Sequence, residues 1–152
     1  MIKKLFTYLI CLLPWFLTSI LKIDYSYLNK IKTPSFTPPN YFYAISWTII
    51  YILVAYTIYN IVTSYTIKKI PNSYKRTLII NYVLNQSFTI VFFIIKNNFL
   101  GFASCLLTLI STLFLYEETS LLKNKMKYFL IPYIGLSIFA SILSLSIYLL
   151  NL

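Results

Sequence analysis

The sequence predicts an all-α integral membrane protein, a bundle of five transmembrane helices, and three observations predict it. Hydrophobic residues fill 59% of the 152 positions and charged residues only 11%, too few to cover a water-soluble domain of this length. The apolar residues gather into five runs, each close to the roughly 17–25 residues that cross a hydrocarbon core. The 13 Lys and Arg residues fall in short clusters between those runs. Clusters of this kind suit membrane topology and anionic headgroups, not the one-sided basic face that nucleic acid needs. The bilayer is the expected partner and nucleic acid is not. With no composition break or Gly/Ser linker, residues 1–152 read as one domain.

The first run is Leu5 to Leu21, between Lys3-Lys4 and Lys22. A basic start followed by an apolar stretch also suits a signal peptide, but Trp15 and Phe16 stand where small residues should precede cleavage. A retained span is therefore expected. The second run is Tyr41 to Ile67, the third Thr77 to Ile95, the fourth Phe99 to Tyr116 and the fifth Tyr128 to Leu150. Only Lys96, Asn97 and Asn98 separate the third from the fourth, which makes those helices an antiparallel hairpin.

Orientation follows from the basic residues. With the N-terminus inside, the inner segments carry Lys3, Lys4, Lys68, Lys69, Lys75, Arg76, Lys123, Lys125 and Lys127; the outer ones carry Lys22, Lys30, Lys32 and Lys96. The bias favours N-inside and C-outside. Tyrosines at run ends (Tyr41, Tyr65, Tyr74, Tyr116, Tyr128, Tyr148) fit the interfacial aromatic belt. The connection from Lys22 to Asn40 then faces outward, with Asp24, Tyr25, Tyr27 and the stretch TPSFTPP. Its prolines Pro34, Pro38 and Pro39 forbid a regular helix, and the last two stand where proline starts the next one. The loop is either a rigid surface segment or a lid over a cavity between helices.

At this loop the chain resembles the translocator protein family, TspO/MBR, once called peripheral benzodiazepine receptors. The family pattern is K-P-x-W-x-P-P-x-W-x-F-x-x-x-W-x-x-L-Y, and here the stretch reads TPSFTPPNYFYAISWTIIY. Pro34, Pro38, Pro39, Trp47 and Tyr51 match in register, and Phe36, Tyr41 and Tyr43 keep aromatic character. The third span, NYVLNQSFTIVFF, is similar to the family's N-x-x-x-N-x-x-F-x-x-x-F segment, and most to its bacterial form. The fifth, LIPYIGLSIFASILS, is similar to P-Y-x-x-W-x-x-F-A-x-x-L-N through Pro132, Tyr133, Phe139, Ala140 and Leu143. Three departures stand out: Thr33 replaces the lysine, Leu136 the tryptophan after Pro-Tyr, and Ser144 the final asparagine. No basic residue follows Tyr148, so the family's animal cholesterol pattern is incomplete.

On helices of 3.6 residues per turn, Tyr43, Trp47, Tyr51 and Ala55 form one row on the second span. Asn81, Asn85, Phe88 and Phe92 form another on the third, and Pro132, Leu136, Phe139, Ala140 and Leu143 one on the fifth. Converging under the proline loop, these rows would enclose an apolar cavity with a few amide anchors. The bland alternatives stay open: aromatic stripes pack helices, Asn81, Asn85 and Gln86 glue them, and Pro132 only kinks one. Trp15, beside Pro14, is assigned to packing or lipid, and nothing in its spacing sets it opposite Trp47.

The chain has no His, and its acids are Asp24, Glu117 and Glu118, the last two beside a lysine-rich loop where solvated pairing is the default. No nucleophile–base–orienter set or catalytic metal site can be assembled. Cys11 and Cys105 lie in apolar runs and read as free thiols, and axial haem ligation is not expected.

What the resemblance implies is a membrane-embedded binding protein for tetrapyrroles such as protoporphyrin IX and other flat, benzodiazepine-like molecules. Its role would be sensing, sequestration or transport, as a homodimer and without a required cofactor. The expected contacts are Pro38, Pro39, Tyr43, Trp47, Tyr51, Asn81, Asn85, Phe88, Phe92, Leu136, Phe139 and Ala140, with propionates reaching Lys30 or Lys32. Two rivals stay open: light-dependent porphyrin breakdown, which Leu136 disfavours, and a structural or transporter subunit without a ligand. Richness in Ile, Asn, Lys and Tyr without a targeting presequence points to a bacterial cytoplasmic membrane. In a background lacking Cys11 and Cys105, a cysteine near Ser35 should react with an impermeant reagent on intact cells. One near Asn72 should not, and the reverse pattern inverts the topology.

Overall fold

The computed structural model describes every residue except Met1, Lys22 and Asp24. Those last two, expected to flank the first span and open the outer loop, lie outside the described residues. Four helical stretches are long and apolar enough to cross a bilayer: Lys3–Ile20, Asn40–Ser64, Asn72–Ile94 and Asn98–Leu150. The last runs to 53 residues and folds back on itself. It comprises α4 (Asn98–Lys123), a tight 3-10 segment (Asn124–Leu130) and α5 (Ile131–Leu150). Cys105 Sγ lies 3.3 Å from Ser144 Oγ across the α4–α5 seam, so the expected fourth and fifth spans are its two limbs. The protein is a multi-pass membrane protein, all-helical among the described residues.

The first span is not one regular helix. It begins as α1 (Ile2–Leu12) and continues from Leu13 to Ile20 as 3-10 helix. Pro14 has no N–H to give and its ring crowds the preceding turn, which ends the α geometry there. Carbonyls loosened in this way need donors, because lipid supplies none. Helix α3 (Asn72–Thr89) supplies them. Tyr82 donates its hydroxyl to Pro14 O at 3.0 Å, and Gln86 Nε2 donates to Trp15 O at 3.1 Å. Gln86 Oε1 in turn accepts from the Thr18 hydroxyl at 2.7 Å and the Thr18 N–H at 3.3 Å. On its other side α1 lies along α2 (Asn40–Ser64), with Tyr8 donating to Ile52 O at 3.2 Å.

The α3–α4 hairpin turns on Lys96, whose φ of 59° is the left-handed conformation that a reversal this short requires. Asn97 caps α4 by accepting from Leu100 N–H at 2.9 Å. Between Ile90 and Ile94 the end of α3 widens into a π-turn, with Ile95 N–H bonding Ile90 O at 2.9 Å. Small residues let the hairpin close: Ser87 and Ser104 hydroxyls lie 2.9 Å apart, and Gly101 faces Phe92 where an added Cβ would come within 2.7 Å of its ring.

One buried amide joins three helices. Asn81, fully buried in α3, donates to Ser111 Oγ and Thr112 Oγ1 of α4, each at 2.9 Å. Its carbonyl oxygen accepts from Tyr133 of α5 at 3.1 Å. The two ends of the bundle also sort as the basic clusters suggest. Tyr27 of the long loop donates to Lys96 O and Asn98 Oδ1 at one end. At the other, Lys123 Nζ donates to Ser64 Oγ and Ser73 to the Glu118 carboxylate. Replacing Asn81 by Ala should cost about 2 kcal/mol of unfolding free energy in bicelles, several interhelical bonds worth about 0.6 kcal/mol each plus stranded partners. Tyr133→Phe should cost less, and equal stability of Asn81→Ala and wild type would remove this crossing from the structural core.

Candidate functional site

A cavity of about 870 Å³ occupies the half of the bundle beneath the long loop. One wall is α2, where Tyr43, Trp47 and Tyr51 follow one another at i, i+4 spacing. The Trp47 and Tyr51 rings are 5.9 Å apart and 35° from parallel, and Tyr133 meets Trp47 edge-on at 6.1 Å. Across the cavity are Phe88 of α3 and Phe93 of the π-turn that follows it, while Phe16 arrives from the 3-10 half of the first span. Asn85 is the amide in this wall. Its oxygen accepts from the Tyr51 hydroxyl at 3.0 Å and from Gln86 Nε2 at 3.3 Å, which fixes the Tyr51 ring. Ala44, Thr48 and Ala140 are short enough to leave the space between the walls open.

The loop forms the roof and is tied down. Tyr27 holds it to the α3–α4 turn, and burial raises its phenol above the ordinary value, keeping it a neutral donor. Lys32 exchanges two main-chain hydrogen bonds with the Asn151 side chain after α5, at 2.9 and 2.8 Å. Thr37 turns back onto Pro34 O through its N–H at 3.0 Å and its hydroxyl at 2.7 Å. Pro39 then stands as the extended residue before α2. Lys30 and Lys32 are exposed beside Asn29 and Thr33, which line the cavity. None of the described lining residues is charged.

Of the residues expected from sequence, Tyr43, Trp47, Tyr51, Asn85, Phe88 and Ala140 line this cavity. Pro38 and Pro39 do not line it, although Thr37 and Asn40 on either side do. Asn81 is spent on the three-helix crossing. Phe92 is buried behind Phe88, stacked on it at 5.2 Å and 11°. Pro132, Leu136 and Phe139 border a separate shallow groove outside α2, with Phe42 and Ile49. The row expected on the fifth span is thus divided, because adjacent helical residues point about 100° apart and Ala140 and Phe139 fall on different sides of the α2 contact. Nor does Pro132 kink α5; it sits in its first turn.

The cavity also draws on the first and fourth spans, which the three motif rows omit. Thr18 and Phe16 enter from the first, Cys105 and Thr108 from the fourth. The fourth span did carry a signal: Ser104, Thr108, Ser111, Thr112 and Thr119 form a hydroxyl stripe on an apolar helix, and all are buried. Trp15 is packed and not lipid-facing, at 2% exposure. It is one ring removed from Trp47, for its own ring lies 5.7 Å from Tyr51.

The description "TspO/MBR family" belongs to the family model that matches residues 5–150 of this chain. The chain is 34% identical to the Tryptophan-rich protein TspO of Bacillus cereus over 138 residues, 90% of this chain and 89% of that one. It is 32% identical to the membrane protein YtaB of Bacillus subtilis, over 86% of this chain and 83% of the relative. A third relative, the Tryptophan-rich protein TspO of Archaeoglobus fulgidus, is 28% identical over 80% of this chain and 77% of its own. With the motifs, the helical membrane fold and this match over nearly the whole length together, the chain belongs to the TspO/MBR family.

Proposed function

We propose that this protein is a membrane-embedded binding protein for tetrapyrroles such as protoporphyrin IX and for other flat hydrophobic molecules, serving in sensing or transport. The observation that carries the reading is the aromatic-walled cavity under a tethered loop. Its volume of about 870 Å³ lies within the roughly 300–1,000 Å³ of small-molecule sites. A planar ligand would lie against Trp47 and Tyr51, with Phe88 and Phe93 across from it. Stacking and shape would hold it, with Asn85 as an orienting amide. Ionised carboxylates are costly to bury without a partner, so they would point out of the neutral cavity towards Lys30 and Lys32.

The same reading places the protein in a bacterial cytoplasmic membrane, with its N-terminus and the larger basic end inside and the tethered loop outside. No cofactor is required, and the working unit is the homodimer that family membership implies. Titration of the purified protein with protoporphyrin should quench tryptophan fluorescence saturably; a linear, unsaturable response would favour a structural subunit with no ligand.

Trp47→Ala and Asn85→Ala should each weaken binding while the protein stays folded. Loss of a stacking face or a buried hydrogen-bond partner costs on the order of 1–3 kcal/mol, roughly 5- to 150-fold in affinity. Leu136→Ala, in the outer groove, should leave affinity unchanged. Wild-type affinity in both Trp47→Ala and Asn85→Ala would reduce these side chains to packing.

A further inference from the structure

A 3-10 helix turns once in three residues, so positions three apart stand above one another along a single edge. The stretch from Leu13 to Ile20 therefore has three edges. Trp15 and Thr18 share the one turned to α3, where Trp15 meets Tyr82 at 5.3 Å and Thr18 bonds Gln86. Pro14, Leu17 and Ile20 share the outward one, and all three are exposed. Phe16 and Ser19 share the one turned to α2, where the Phe16 ring meets Tyr51 at 5.3 Å. Lower down Tyr8 meets Tyr59, so the first span and α2 run antiparallel.

Tyr51, Thr48 and Ala44 follow one another up α2 at spacings of three and four, on one stripe. Both facing stripes thus turn from large to small in the same direction. Ser19 stands roughly 6 Å above Phe16, and Thr48 and Ala44 stand roughly 4.5 and 10 Å above Tyr51. These three short residues line the cavity and are exposed, so the backbones have not closed on one another there. Pro14 is the cause. Beyond it the hydrogen bonds of the segment run to α3, and among the described residues none runs to α2. The segment leans away from α2 and leaves a slot, closed below by Phe16 and Tyr51. Exposed Leu17 and Ile20 flank it on one side and exposed Ile45 on the other, all within the apolar spans, so its mouth opens into hydrocarbon.

We propose that this slot is a lateral passage, through which a flat hydrophobic ligand dissolved in the leaflet on the roof side enters the cavity edge-on. The proposal rests on the cavity being the ligand site set out above. A direct way in from water would have to part the roof, which Tyr27 and the Lys32–Asn151 pair tie down. It would also require an apolar ligand to leave lipid for water, which the hydrophobic effect opposes. The slot demands neither. Its lips carry no charge, and the Thr48 hydroxyl is already bonded to Ala44 O at 2.7 Å, so little polar surface is stripped as a ring slides past. Carboxylates on one edge of the ligand would trail at the interface, at the end of the bundle where Lys30 and Lys32 are exposed.

The test is stopped-flow fluorescence on the protein in liposomes with protoporphyrin. Tryptophan quenching reads association, and its recovery after mixing the complex with excess empty liposomes reads dissociation. Ser19→Phe and Thr48→Phe, one on each lip, should each slow both rates together by roughly tenfold, because entry and exit cross the same constriction. Asn151→Ala, which unties Lys32, should leave both rates as in wild type. Unchanged rates in either lip variant would overturn the passage, as would faster exchange in Asn151→Ala, which would put the route through the roof. Weaker binding with an unchanged association rate would overturn it too, by making the lip residues ligand contacts. Saturable quenching of wild type together with any of these results removes the passage alone, whereas no saturable quenching removes the binding function with it.

Discussion

Backbone carbonyls freed inside the hydrocarbon need partners within the protein, and three amides of α3 reach in different directions to tie the neighbouring helices together. Asn81, Asn85 and Gln86 are buried amides with four-fold bonding capacity each, spread over little more than one turn. Asn81 closes α3 against α4 and α5. Gln86 receives the chain where Pro14 has broken the first span. Asn85 looks the other way and holds Tyr51 upright in the cavity wall. Without Gln86 the Trp15 carbonyl and the Thr18 hydroxyl would lose their bonds to α3, and with them the tie that positions Phe16 and Thr18.

The cavity is the counterpart of this amide spine. Above the level of Asn81, aromatic rings with short residues between them line the space between α2 and α3. Side chains that line a cavity of this size make fewer dispersion contacts with one another than those of a packed core. The roof tethers at Tyr27 and Lys32 and the ring contacts along α2 hold the walls apart despite that loss. The result is a pocket whose walls and roof are held in place by the protein's own contacts.

Much of this was legible in the residues. Run lengths and basic clusters located the spans and the two ends, because hydrophobic thickness and charge exclusion act on any sequence in the same way. The three-residue link at Lys96–Asn98 forced the hairpin. The α2 row at Tyr43, Trp47 and Tyr51 was readable because one regular helix carries it. Elsewhere regularity failed. The first span was read as one uninterrupted run past Pro14, and its continuation as 3-10 helix depends on Gln86 and Tyr82, some seventy residues away. On α5, spacing put Phe139 and Ala140 on one broad face, while the approach of α2 decided which of them met the cavity.

The π-turn between Ile90 and Ile94 makes the aromatic lining a matter of counting. A π-turn holds one residue more than the α-turn it replaces, and each residue rotates the following ones by about 100°. With one residue fewer, the stretch up to Lys96 would return to α phase, and a different side chain would take the place of Phe93 at the cavity while Phe92 left its stack on Phe88. The identity of the ring presented to the cavity is thus encoded in chain length at this point as well as in side-chain type. A single-residue insertion or deletion here would therefore change the cavity lining more than most single substitutions would.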